Sequence, residues 1–468
     1  MQYEPYPIHT LMPHPGPHLD EAVESVLAKR FGGHLFIGIR DAAVKPGTAE
    51  GSELDNLRKG ILLLGQGRGL FDDKDAGGKR IEGTCCALRM ADYLEKGGCP
   101  ELIKLYRAVN RVDGSATASG TDLSTLMKNA IDSFPDHLHP AIFVWAEQGV
   151  RAIVDYLFLA AASQKAGRTV PCIGFVRPTT VLERMIRDGS IGDPDIIARM
   201  RRSLASSEKQ IENCIEVSYI MRAMKAVGMP NEAAIEWLYT GLLKMAQQQE
   251  QYQSAIREIR EHGKAYPISP RWEGDEISLV LIRSSNPQAA KASRAKEFQH
   301  AVCIVRRPGG TVAVMPNGFN RLDMRAIWSL IRINEAPAES RKSAAFARYS
   351  VEGNIPEAPN WHMMANGAAL NGSNHIMAVP TTLSDDALVE IVRVGFTDEA
   401  VRLFSQKRGG EGDLSQEEAG YLDSTKKQYG LMAEQAKKDA QFAAPVTGPV
   451  ASSNETRRGL NRALDRAV

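Results

Sequence analysis

The chain predicts an α/β protein with an N-terminal parallel-sheet domain, a helical connector and a smaller C-terminal α+β domain. Three observations predict it. Near the N-terminus, short apolar runs alternate with segments of helical spacing. Between about residues 135 and 262 the pattern is almost wholly helical. From Trp272 onward, strand-length apolar runs return. A length of 468 residues suggests about two to three domains. The boundaries fall at 1–135, 136–270 and 271–400, with a polar tail over 401–468.

The first helix follows His14-Pro15-Gly16-Pro17-His18-Leu19-Asp20-Glu21. Leu19, Ala22, Val23, Val26 and Leu27 recur at helical spacing, and Gly32-Gly33 close the run. The prolines and Gly16 keep the preceding segment extended, so His14, His18 and Asp20 converge from a loop that feeds a helix N-terminus. Imidazole and carboxylate together suit manganese, iron or zinc, and further carboxylates nearby would favour manganese or magnesium. The same residues also read as a Pro-rich approach loop, with surface histidines and an acidic pair favoured by the helix dipole.

His34 to Arg40 reads as a buried strand, Lys45 to Lys59 as a polar connection, and Ile61 to Leu64 as a second strand. Ligands of such sheets gather outside the carboxyl ends of the strands. The segment there is Gly65-Gln66-Gly67-Arg68-Gly69-Leu70-Phe71-Asp72-Asp73-Lys74-Asp75. Its glycines do not open directly into a helix, which argues against dinucleotide binding. It reads either as a solvated acidic turn or as a carboxylate cluster sharing a sheet edge with Asp20, with Arg68 and Lys74 available to an anionic substrate. Glu82 to Leu94 starts a helix on small residues, where Cys85 and Cys86 suit packing better than nucleophilic chemistry. Leu102, Leu105, Tyr106 and Val109 form a further helical face that ends near Asp113.

The clearest helix runs from Asn231 to Gly263, with Ile235, Leu238, Leu242, Met245, Tyr252, Ile256 and Ile259 along one seam and Gln249 in a slot of it. Such a seam suits packing within the chain, with Ile197 to Met224 as partner, and also a homodimer contact. Beyond it, Ile277–Ile282, Ala301–Val305 and Thr311–Met315 are strand-like, and Met324–Arg332 is helical. Trp361–Met364 and Leu370–Ser373 form a strand–turn–strand piece, and Ser384 caps a helix through Val394. His362 and His375 lie where they could reach a substrate, or stand as ordinary hydrogen-bonded histidines. The tail ends in a basic amphipathic stretch with Arg457, Arg458, Arg462 and Arg466, expected to be disordered or partner-dependent.

A formal net charge of +1 gives no global case for nucleic acid, although a local basic groove is compatible with it. Cys85, Cys86, Cys99, Cys172, Cys214 and Cys303 form no C-x-x-C pair, which fits a reducing compartment. The N-terminus lacks a basic region followed by an apolar run, and no stretch approaches the ~20 apolar residues of a spanning helix. A soluble, cytoplasmic protein without membrane contact is the expectation.

Taken in order, these features resemble the DHH-type metal-dependent phosphoesterases. His14-x3-His18-x-Asp20 is similar to their first motif, and His18-Leu19-Asp20-Glu21 looks like that of the melanocyte-proliferating-gene branch. Phe71-Asp72-Asp73-Lys74 and the small-residue helix at Thr84-Cys85-Cys86-Ala87 fall where the family has its Asp-His-His motif and following helix. Asn110-Arg111-Val112-Asp113 falls at its last aspartate, and Trp361-His362, Leu370–Ser373 and Pro380–Ser384 resemble its C-terminal unit. The resemblance covers most of residues 8–395, weakly through the helical middle.

What the resemblance implies is 3′-5′ exonuclease-like phosphodiester hydrolysis of a nucleotide or single-stranded oligonucleotide. The implied cofactor is Mn2+ or Mg2+, held by His14, His18, Asp20, Asp72 and Asp113. Asp20, Asp72 and Asp113 would be the catalytic carboxylates, and Arg68, Lys74, His362, Asn371 and His375 the substrate contacts. Such ions polarise a phosphoryl oxygen and lower the pKa of an attacking water. Two departures stand out. The family's second-motif aspartate is replaced at about Gly65, and its Asp-His-His reads Asp72-Asp73-Lys74, so that Asp73 and Asp75 would have to stand in for histidines. The alternative is therefore a catalytically degenerate relative that binds nucleotide, nucleic acid or a partner protein.

Overall fold

Leu11 and Leu62 lie side by side in parallel strands, and both are fully buried. Around that pair the computed structural model is a mixed α/β protein. The chain divides into two units, residues 1–250 and 251–468. The structure describes residues 5–397 except 49, 67–70, 74–80, 82, 116–118, 135, 171–173, 211, 269–276, 318–321, 338–348, 352, 365–366 and 373–378. Arg68, Lys74, Asp75, Cys172, His375 and the expected tail thus lie outside the described residues.

The first unit opens with β1 (Tyr6–Pro7), β2 (Thr10–Met12), α1 (Leu19–Phe31), β3 (Phe36–Ile37), β4 (Ala43–Val44), α2 (Glu53–Arg58) and β5 (Ile61–Leu63). β2 lies between β4 and β5, parallel to both, and β1 pairs in parallel with β3. The run His34 to Arg40 is a strand only at β3. Short 3-10 turns over Gly32–His34 and Ile39–Asp41 flank it. Gly38 explains the break. It sits at φ +77°, and a Cβ there would come 3.0 Å from the Ile8 carbonyl oxygen. Ile37 is accordingly 56% exposed, despite its apolar neighbours.

Helices α3 (Cys86–Tyr93), α4 (Ile103–Ser115), α5 (Leu123–Ser133), α6 (His139–Lys165), α7 (Pro178–Arg187), α8 (Pro194–Ser207), α9 (Val217–Ala226) and α10 (Asn231–His262) follow. The helices expected to form a separate connector share one core with the sheet. Phe143, Val150, Met221 and Leu242 belong to the same buried cluster as Leu11, Leu27 and Leu62. A three-strand sheet with edges of two and three residues covers little area, so its apolar surface is completed by helices from the middle of the chain. α1 is tied to α6 by Lys29, whose Nζ lies 2.8 and 3.0 Å from the Glu147 carboxylate oxygens, and Ser25 donates to the same carboxylate.

On α10 the seam residues Leu238, Leu242 and Met245 are buried within this unit, so the face that also suited a dimer contact is covered there by the chain itself. Its close partner is α6. Trp145 and Trp237 stack with centroids 5.1 Å apart and planes 13° from parallel. Each indole N–H donates to the other residue's carbonyl, at 2.8 and 2.9 Å. A glycine one turn beyond each tryptophan makes room for the opposite ring. A Cβ at Gly149 would come 2.8 Å from the Trp237 ring, and one at Gly241 2.7 Å from the Trp145 ring.

In the second unit, β6 (Lys264–Ile268), β7 (Ile277–Arg283), α11 (Ala289–Ala292), β8 (Val302–Arg306), β9 (Val312–Pro316), α12 (Arg325–Glu335), β10 (Gly353–Ile355), β11 (Ala358–Met363), β12 (Ala369–Asn371) and α13 (Asp385–Gly395) follow in order. The strands form one sheet in the order β10-β11-β12-β9-β8-β7-β6. β7 and β8 are parallel, joined through α11, and every other pairing is antiparallel. Strand alternation splits the core. Leu279, Leu281, Ile304 and Val314 face a cluster with α12 and α13, while Val280, Ile282, Cys303 and Val305 pack with α11 and with Ala255 and Ile259 of α10. Ser384 caps α13 as expected, its hydroxyl accepting from the Ala387 N–H. Among the described residues, no helix is long and apolar enough to cross a membrane.

The tryptophan crossing gives a test of packing against propensity. Replacing glycine by alanine inside a helix ordinarily gains about 1 kcal/mol. Gly241→Ala is instead expected to cost about 1–3 kcal/mol, because the methyl must displace a stacked indole. Denaturant unfolding of the variant beside the parent checks the sign.

Candidate metal centre

The residues after β2 and β5 converge at the carboxyl ends of the parallel strands. The loop after β2 is closed by Glu21, which is only 1% exposed. Its Oε1 accepts from the His14 backbone N–H at 2.9 Å and lies 2.6 Å from His14 Nδ1, and its Oε2 accepts from the His18 N–H at 2.6 Å. This is a helix residue in the first turn reaching back to satisfy the loop before it, the logic of a capping box. From the opposite side, His139 Nδ1 donates to the Pro15 carbonyl at 2.6 Å. Burial pushes the Glu21 carboxyl up, but the bonds and charges of His14 and His18 outweigh it, and the group stays below its usual range.

The loop after β5 is fixed in a similar way. Gln66 Nε2 donates to the Met12 and Gly47 carbonyls at 2.7 and 3.1 Å. Phe71 packs edge-on against Tyr93 with centroids 5.0 Å apart, which holds the adjoining Asp72 and Asp73 in buried positions. Cys86 opens α3, and its thiol is hydrogen-bonded to Asp20.

Two sets of ligand atoms result. Those of His18, Asp20 and Glu21 lie within 4.8 Å of one another, as do those of Asp72, Asp73 and Cys86. Charge and hydrogen bonding join the sets, for Asp20 feels Glu21, Asp113, Asp73 and Cys86. Burial, and then Glu21 and Asp113, push the Asp20 carboxyl up to about 7. Burial, with the charges of Glu21, Asp20, Glu53 and Asp72, pushes Glu24 well above its usual range. Asp20 Oδ1 and both Glu24 oxygens are buried without a hydrogen-bond partner among the described residues. Crowded carboxylate oxygens, three of them without a hydrogen-bond partner among the described residues, could hold a divalent cation, and the chemistry of the residues fits one. Burial raises the Cys85 thiol to about 12 and Cys86 higher still, so both are neutral thiols.

Of the residues singled out from sequence, the structure brings His18, Asp20, Asp72 and Asp113 to this cluster. His14 stands behind it, its imidazole held by Glu21. A carboxylate on one nitrogen is what orients a ligating imidazole. His362 and Asn371 belong to the second unit. His362 Nδ1 lies 2.6 Å from Asn354 Oδ1. Asn371 is buried and spends its amide on the Asn360 and Val379 carbonyls and the Thr381 N–H. Glu21, Glu24 and Cys86 had no site role in the sequence reading. For Glu24 the signal was present, since Asp20 and Glu24 are four apart on one helix face. Gly65 also stands at the cluster. At φ +60°, a Cβ on it would come 2.9 Å from Glu21 Cγ and 3.1 Å from Cys86 Sγ.

No model of a known protein family matches the chain, and no curated protein matches it. Among solved structures it is similar to an uncharacterized protein from Helicobacter pylori G27, at 11% identity over 84% of this chain and 99% of that one, with a TM-score of 0.23.

The raised Asp20 carboxyl makes the metal-free protein pH-sensitive. The folded state keeps this proton up to about 7, whereas the ordinary carboxyl loses it at 3.8. Stability from this group is therefore full below about pH 4 and is lost as pH rises through about 7. Asp20→Asn removes that loss. In EDTA at pH 8 the variant is expected to be more stable than the parent, with the difference vanishing near pH 4 in denaturant titrations.

Proposed function

We propose that the first unit is a DHH-like phosphoesterase domain that binds a divalent cation and hydrolyses a phosphodiester of a nucleotide or oligonucleotide. The observation that carries this is the buried carboxyl of Asp20, whose Oδ1 has no hydrogen-bond partner among the described residues, set among Glu21, Asp72, Asp73 and Asp113 where parallel strands end. The order of these residues along the chain supports the family reading: His18 and Asp20 after the central strand β2, Asp72 after its neighbour β5, and Asp113 near the end of the later helix α4.

His18, Asp20, Asp72, Asp73 and Asp113 would hold Mn2+ or Mg2+. Such a cation polarises a phosphoryl oxygen and supplies an activated water. Hard oxygen donors outnumber the single exposed imidazole and a neutral thiol, which favours these ions over zinc. The chain's own residues do the remaining work. Glu21 holds the His14–His18 loop in register with α1, and the His139 bond to Pro15 keeps that loop from swinging out. Asp20, whose carboxyl is pushed up to about 7 by burial and by Glu21 and Asp113, would have to release its proton to solvent to serve as a ligand. Arg68 and Lys74, from their place in the sequence, are suited to neutralising phosphate charge.

Gly65 favours a second reading. The family's aspartate has no counterpart there, and the close approach of Glu21 and Cys86 leaves no space for one. A site short of a ligand would bind a phosphate-bearing molecule without turning it over.

The experiment is manganese titration by calorimetry, with turnover of bis(p-nitrophenyl) phosphate and a single-stranded oligonucleotide, on the parent and Asp20→Ala. The parent is expected to bind Mn2+ and to hydrolyse at least one substrate, and the variant to lose about a hundredfold or more of both. Stoichiometric metal and full turnover in Asp20→Ala would sink the proposal. Phosphate-ligand binding with no turnover in the parent would establish the second reading.

A further inference from the structure

The first unit carries a second polar feature, on the far side of α4 from the carboxylates. An open groove of about 880 Å³ runs between α4 and the end of α8, with Lys104, Arg107, Arg111 and Lys209 along it. Lys104, Arg107 and Arg111 recur at helical spacing on one face, so their charges step about 4.5 and 6 Å along the axis. Arg107, Arg111 and Lys209 are exposed. The carboxylate at the rim, Glu212, pairs with Lys104 at 2.9 Å and is 86% exposed. An ion pair so open to water is worth little and yields readily to a stronger anion. For a chain of net charge +1, this is a strong local concentration of positive charge.

We infer that this groove binds the sugar–phosphate backbone of a single-stranded nucleic acid. The row of cations is straight, and its steps are of the same order as the phosphate spacing along one strand, about 3.4 Å or more as the strand is drawn out. Guanidinium groups match phosphate oxygens in a bidentate fork. Between the charges the walls are Pro100, Ile103 and Ala108, apolar surface that suits sugar and base edges and that an acidic peptide would leave unused. Arg111 to Asp113 is a two-residue step, about 200° around the helix. A strand in the groove therefore reaches the carboxylates by rounding the last turn of α4. That the bound strand is also the substrate rests on the phosphoesterase reading; the binding itself does not. The consequence is length selectivity, since a polymer long enough to span groove and cluster gains an anchor that a mononucleotide lacks.

The test is fluorescence anisotropy of a labelled single-stranded 15-mer with the full chain in EDTA, where hydrolysis and metal bridging are suppressed. With about four phosphate contacts, affinity is expected to fall about 50-fold between 50 and 200 mM salt. Arg107→Glu with Lys209→Glu should bind at least about tenfold more weakly, with a shallower salt slope. Both side chains are exposed, so the fold is expected to persist, and an unchanged circular dichroism spectrum and melting curve verify this. Arg107→Ala with Lys209→Ala should fall between. Binding that persists in EDTA, where no divalent cation is held, separates this inference from the phosphoesterase reading. Equal affinity and slope in the charge-reversed variant would overturn it, as would displacement of the 15-mer by poly-glutamate at equal charge concentration. Should the protein prove hydrolytic, the reversed variant is expected to raise KM for the 15-mer about tenfold while leaving bis(p-nitrophenyl) phosphate unaffected. Equal effects on both would also overturn it.

Discussion

The buried carboxylate of Glu21 is the contact on which the candidate centre depends. It receives the backbone of His14, the ring of His14 and the backbone of His18, and so folds a proline-rich loop onto the first turn of α1. Hydrogen bonds to a charged acceptor contribute about 1.5–3 kcal/mol each, more than neutral ones. Without them the loop would be free to sample extended conformations, and His18 would not lie beside Asp20. The same group also fills the space next to Gly65, which ties the loop after β2 to the loop after β5.

A cluster of this kind is costly to build. Burial and like charge both act against ionisation of Asp20 and Glu24, and the described residues place no cationic side chain on either. The cost is offset by the surrounding scaffold, where α1 packs apolar residues into the main core and Lys29 engages Glu147 on α6. Crowded, strongly shifted carboxyl groups at a strand end inside a well-packed frame are a pattern of sites that act on ligands. An acid serving structure alone is normally saturated with donors, as the half-buried Glu335 is. Its oxygens take the side chains of Asn360, Thr381 and Thr382 and the Thr382 N–H.

Much of this was legible in sequence where period and punctuation agreed. α10 runs Asn231–His262, because its apolar seam and the proline and glycine at its ends point the same way. β5 and the Ser384 cap were equally plain. The run His34–Arg40 was misleading, because a left-handed glycine breaks a stretch whose hydrophobicity alone says strand. The helices after residue 136 looked like a connector, since sequence shows that a helix has an apolar face but not what that face covers. In the site, the aspartates could be named from spacing and resemblance. The part played by Glu24 and Cys86 depends on α1 and α3 meeting near one point, which is a property of packing. Asn371 looked like a substrate contact, yet its amide is spent on the loop around it, and no one-dimensional pattern records where hydrogen bonds are already used.

The crossing of α6 and α10 repeats a short phrase, Trp-x3-Gly, once on each helix. Each tryptophan occupies the space opened by the other helix's glycine and donates to the other tryptophan's carbonyl. Losing either ring breaks the stack and takes the indole donor from the other tryptophan's carbonyl, and filling either glycine expels a ring. Single steps away from this arrangement therefore all lead downhill in fitness, while a coordinated exchange of the four residues could be neutral. In descent these positions would behave as one inherited character rather than four, and in divergent copies of this chain they should be kept together or lost together.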